Sequence, residues 1–159
     1  MNITVICLGK LKEKYLRDAI DEYTKRISAY GRLDIVELNP VRLSDNPSQN
    51  ETDSALSKEA EEIKKKIPNN SYTFALCIEG KEKSSEAFAK TISDVGLGGK
   101  SSLTFIIGSS FALAPEIKEL SDSKLSFSPM TFPHQLMRVM LLEQIYRAFQ
   151  INNNGKYHK

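Results

Sequence analysis

The chain has 159 residues, 40% of them hydrophobic and 26% charged, with a net charge of +2. That length builds one domain with a real core, and that composition excludes a disordered chain. No apolar run approaches the roughly 20 residues of a membrane span. Ile3–Leu8 lacks the flanks of a signal peptide, so a cytoplasmic location is expected.

Ile3–Leu8 reads as a short buried strand. Tyr15–Tyr30 has helical spacing, with Ala19, Ile20, Tyr23 and Ile27 on one stripe. Leu33–Leu38 alternates and is rich in branched residues, which predicts a strand. Asn39–Asn50 holds Pro40 and Pro47 and reads as a long loop, a kind more often functional than idle. Glu51–Ile67 predicts a highly charged helix with a solvated face. Ser71–Ile78 is a near-continuous apolar strand. Ser84–Val95 predicts a helix capped by Ser84 or Ser85. Leu103–Ile107 is another apolar strand, Pro115–Leu120 a short helix with proline in its first turn, and Lys124–Ser128 a short strand. Pro133–Ile151 is a long helix, and a polar tail follows it.

Strand and helix alternate five times. That pattern predicts an α/β fold, a parallel sheet with helices on both faces. Ligands of such sheets sit beyond the carboxyl ends of the strands, which directs attention to the segments after Ile78, Ile107 and Ser128. Cys7 and Cys77 fall in apolar runs and read as buried strand thiols. With only His134 and His158 beside them, no zinc spacing exists and no metal is expected.

Charge is informative when split. Lys124–Lys159 holds five basic residues against the single acid Glu143, a net +4, and both histidines. Such a quarter suits an anionic partner such as RNA phosphate. Gly108 ends an apolar strand, where no Cβ intrudes on a ligand. The loop Ser126–Gln135 is stiffened by Pro129 and Pro133, which holds its amides and carbonyls ready for a flat polar ligand. His134 sits in the first turn of the last helix, whose positive end favours neutral imidazole.

In that helix, eleven of the sixteen positions Leu136–Ile151 are apolar or aromatic. A helix apolar on most faces is buried on most faces, and the sheet covers only one, so a homodimer through this helix is expected. His134 and Arg138 share one face, while Glu143 and Arg147 share another. Glu143 with Arg147 is most simply an ion pair, or an arginine holding phosphate with a glutamate orienting it. The closing Tyr157-His158-Lys159 either frays or supplies an aromatic, an imidazole and a cation to RNA.

The segments MNITVICLGKLKEK, SFSPMTFPHQLMRVMLLEQIYRAFQI and the closing YHK resemble the RlmH family of small SPOUT-class methyltransferases, and the resemblance runs from end to end. It implies an α/β knot fold with a C-terminal trefoil knot, a homodimer, and S-adenosylmethionine (S-adenosyl-L-methionine) as cofactor. It implies methylation of N3 of pseudouridine-1915 in 23S rRNA on the assembled ribosome. Position by position, Leu76, Gly108 and the loop Phe127, Ser128, Pro129, Met130, Thr131 and Phe132 match cofactor contacts. His134, Arg138, Glu143, Arg147, Tyr157 and His158 match polar positions near the acceptor.

One departure stands out. The family has Gly-Gly-x-x-Gly where this chain has Gly108-Ser109-Ser110-Phe111-Ala112. If Ser109 and Ala112 need positive φ, each costs on the order of 1 kcal/mol. Three other readings compete: a non-catalytic ribosome-binding protein with an impaired cofactor site, the same chemistry on a tRNA base, and a flavodoxin-like nucleotide binder. The last lacks a phosphate loop after the first strand.

Overall fold

The computed structural model describes residues 1–159. Strands and helices alternate as β1 (Asn2–Leu8), α1 (Lys14–Ile27), β2 (Arg32–Leu38), α2 (Gln49–Lys64), β3 (Tyr72–Glu82), α3 (Ser85–Leu97), β4 (Ser102–Ile107), α4 (Pro115–Leu120), β5 (Ser123–Ser126) and α5 (His134–Asn152). The five strands form one parallel sheet in the order β2-β1-β4-β3-β5. No helix is long and apolar enough to cross a membrane.

Side chains of a strand alternate between faces, and here both faces are dry. Ile3, Val5 and Cys7 of β1 join Leu103, Phe105 and Ile107 of β4 in a core beneath α1, α3 and α5. Ile6, Leu8 and Ile106 point the other way, into a second core beneath α2 and α4. Phe74 and Phe105 stack in the first core, with centroids 4.8 Å apart. α5 packs between α1 and α3, and its Leu141, Leu142, Ile145 and Ala148 are fully enclosed.

Local chemistry sets the boundaries. Ser48 Oγ accepts from the Glu51 N–H at 3.2 Å, and the Glu51 carboxylate accepts from the Ser48 N–H at 2.7 Å. This capping box starts α2 at Gln49, inside the expected loop. Ser84 caps α3 through the Ala87 N–H. β3 runs past Ile78 to Glu82, through a shift in its register with β5 between Leu76 and Lys81. A Cβ at Gly80 would lie 2.7 Å from the Leu125 backbone, so only glycine lets β5 approach there. β5 ends at Ser126, two residues early, and releases Phe127 and Ser128 into the loop before α5.

Candidate active site

Past the carboxyl ends of β3, β4 and β5 lies a cleft of ≈ 140 Å³, lined mostly by apolar side chains. That lining suits a small, largely apolar ligand. Its walls are the end of β3 with Leu76, the turn after β4 with Gly108, and the loop Phe127–Phe132. Leu76, Gly108, Phe127, Ser128, Met130, Thr131 and Phe132 all face it, and Pro129 does not. Cys77 lines it too, half-buried instead of enclosed, with its thiol pushed up by burial. Cys7 is enclosed in β1, and burial pushes its thiol to about 12.

The turn after β4 divides the two departures from the glycine pattern. A Cβ on Gly108 would lie 2.3 Å from the Ala112 carbonyl oxygen, so glycine is required by contact. Ala112 has φ +67°, the left-handed region, which costs an alanine about 1 kcal/mol. Ser109 has no such φ. Its carbonyl accepts from the Ala112 N–H at 2.9 Å, and its hydroxyl donates to Glu59 at 3.2 Å.

His134 lines the same cleft from the first residue of α5. Burial, and secondarily the Arg138 charge, lower its pKa. Burial and Arg138, and not the helix end that the sequence suggests, thus favour the neutral imidazole. No hydrogen bond engages the ring, and an added Cβ at Gly9 would lie 3.8 Å from its Nε2. Arg138, one turn on, is 1% exposed. It donates to Glu37 at 3.1 Å and to the Gly9 carbonyl at 2.8 Å, while its Nε has no partner. This guanidinium clamps the chain after β1 beneath His134 and is not free to meet a phosphate.

The remaining polar residues gather elsewhere. Arg147 donates to Glu143 at 2.6 Å, Tyr157 donates to Glu143 at 3.1 Å, and the guanidinium lies 4.7 Å from the Tyr157 ring centroid. Arg147 also meets His158 Nδ1 at 3.1 Å. A guanidinium only donates, so Nδ1 accepts, and the His158 Nε2–H donates to Glu86 at 2.8 Å. Glu86 is held down to about 2 by its own backbone N–H, with help from His158. Burial pushes the Tyr157 hydroxyl to about 12. The tail is thus docked, not frayed. A second cleft of ≈ 430 Å³ lies beside Glu143, lined by Tyr23, Val139 and Met140, and shares Phe127 with the first. From His134 to Arg147 the rise along α5 is about 20 Å, so one chain does not bring both groups to one ligand.

No lysine, arginine or carboxylate lines the first cleft. No cluster of three or more His, Cys, Asp or Glu stands close enough to hold a metal.

This frame and cleft define an α/β protein with a mostly apolar ligand cleft past the carboxyl ends of its strands. Over residues 1–158 the sequence matches the family described as "Predicted SPOUT methyltransferase". It is 57% identical, over all of both chains, to a putative ribosomal RNA large subunit methyltransferase H of Methanococcus maripaludis. It is 54% identical, again over all of both chains, to the ribosomal RNA large subunit methyltransferase H of Clostridium novyi. Its fold is similar to that of a probable methylase family protein from Haemophilus influenzae, with a TM-score of 0.53 at 14% identity, covering 99% of this chain and 70% of that one. The chain belongs to the SPOUT methyltransferase family, whose methyl donor is S-adenosylmethionine.

Proposed function

We propose that the protein methylates N3 of pseudouridine-1915 in 23S rRNA, acting in the cytoplasm on the assembled ribosome. Full-length likeness to proteins named for the large ribosomal RNA supports the substrate. The observation that carries the mechanism is the pairing of a mostly apolar cleft with His134 on its wall, an imidazole that no hydrogen bond engages and that burial favours in its neutral form.

S-adenosylmethionine, when bound, supplies an electrophilic methyl group on a sulfonium. Leu76, Gly108 and the loop Phe127–Phe132 would hold it, the loop chiefly through backbone groups, and the apolar side chains there would exclude water from the reacting centre. His134 is placed to act as the base that would take the N3 proton of the acceptor as that nitrogen becomes methylated. His158 is a poorer base in this arrangement, because Arg147 occupies its Nδ1. Arg147, oriented by Glu143, meets RNA phosphate or charge developing on the base.

A homodimer belongs to this reading. Val139 and Met140 of α5 and Tyr23 of α1 border the second cleft and are only half-buried. A second copy covers them and brings its tail toward the cleft that holds His134. The trefoil knot belongs to it as well: residues 127–133 turn back from the β5 edge past the ends of β3 and β4 before α5 begins.

The test is transfer of labelled methyl to ribosomes lacking the modification, with bulk tRNA in parallel and the modified nucleoside mapped by mass spectrometry. Label at N3 of the 23S pseudouridine alone is expected. Label in tRNA alone would replace the acceptor, and ribosome binding without transfer would make the protein a non-catalytic binder.

A further inference from the structure

Glu59 is the one carboxylate of α2 that is enclosed, 5% exposed on a helix otherwise rich in solvated charge. No cation pairs with it. One oxygen accepts from the Val41 N–H at 3.1 Å, in the long connection between β2 and α2. The other accepts from the Ser109 hydroxyl at 3.2 Å, in the turn that walls the methyl-donor cleft. A buried carboxylate held by two neutral donors is costly, and burial pushes its pKa up. The turn it grips is itself tight, with Ala112 at positive φ and Gly108 against the Ala112 carbonyl.

We infer that Glu59 is a positioning residue for the methyl donor: through Ser109 it fixes the Gly108–Ala112 turn in its cofactor-binding shape, and through Val41 it ties the same turn to the connection between β2 and α2. The serine that departs from the glycine pattern is then the latch's second half, and not a lesion. The inference rests on the reading of this cleft as the cofactor site.

The chemistry of the pair makes the test specific. A glutamine at 59 can still accept from the Val41 N–H through its amide oxygen. Its NH₂ can donate to the Ser109 hydroxyl, which accepts as readily as it donates. Glu59→Gln should therefore bind S-adenosylmethionine within about threefold of the parent. Ser109→Ala, which removes one charge-assisted hydrogen bond, should raise the dissociation constant about tenfold, and Glu59→Ala, which removes both bonds to the carboxylate, should raise it at least as much. The maximal transfer rate at saturating donor should change little. Glu59→Gln combined with Ser109→Ala should lose the rescue, because the NH₂ then faces no acceptor.

A second readout is independent of the cofactor. Arg42 lies next to Val41 in the tethered connection, so limited trypsin cleavage after Arg42 reports its release. Glu59→Ala should speed this cleavage, and Ser109→Ala should not. If Ser109→Ala, folded by circular dichroism, binds the donor as tightly as the parent, the positioning role is wrong. If the parent itself binds no donor, the cofactor reading of the cleft fails. The latch then stands or falls on whether Glu59→Ala speeds cleavage at Arg42.

Discussion

His134 and His158 differ in what their ring nitrogens touch, and that difference predicts their mutants. His134 is free in the cleft, so His134→Ala should lower the transfer rate by about 10²–10⁴ while leaving donor binding measurable by calorimetry. Its folded pKa lies below the ordinary histidine value of about 6.5. Two consequences follow. The acid limb of the pH–rate profile should fall below pH 6.5, since the base form persists there. Between the folded and unfolded pKa values the unfolded chain binds more protons, so this group's contribution is intact above about 6.5 and is lost as pH falls toward the folded pKa. Urea titrations at pH 7.5 and 5.5 should show that loss in the parent, and a smaller one in His134→Ala. The sequence placed His134 in a first turn and suggested a neutral ring, but its cause, burial beside Arg138, needs the packed structure. The glycine departures were also half legible. The residue types marked Ala112 and Ser109, and only the backbone shows that Ala112 alone is strained.

At the scale of elements, α5 does several jobs along one helix. Its first turn carries His134, its middle fills the core, and its last turns hold the tail. Arg138 is the joint, enclosed at 1% exposure and bonded to Glu37 and to the Gly9 carbonyl. Arg138→Met should destabilise the fold by about 2–3 kcal/mol, because it leaves the Gly9 carbonyl and Glu37 without their charged donor. The loss would appear as a lower urea midpoint with an unchanged slope. From sequence, Arg138 reads as a polar residue on the face of His134, near the acceptor, since periodicity does not tell an arginine that meets a ligand from one that is enclosed. The same limit hides Glu59. By contrast, the apolar runs of β1 and β4 and the Pro115 start of α4 were legible almost to the residue, because each rests on a local rule. The boundaries that moved did so for tertiary or side-chain reasons: a capping box at Ser48, and at β3 a register shift that Gly80 permits.

At the scale of the whole molecule, the polar residues that the sequence grouped together stand at two ends of α5. A dimer reconciles them, and light scattering should give the mass of two chains. Deleting Tyr157–Lys159 removes hydrogen bonds to Glu143, Arg147 and Glu86. It should abolish transfer to ribosomes while donor binding persists. The cleft also carries its own reporter. Cys77 lines it and Cys7 is enclosed, so maleimide labelling above pH 8 should go to Cys77 and should slow when the donor is bound.

The most direct measurement is a calorimetric titration of the purified protein with S-adenosylmethionine, run beside Gly108→Ala. Binding at one site per chain, weakened about tenfold or more where the new Cβ meets the Ala112 carbonyl, is the predicted result. No binding to the parent chain, or equal binding by Gly108→Ala, would contradict the assignment of this cleft as the methyl-donor site.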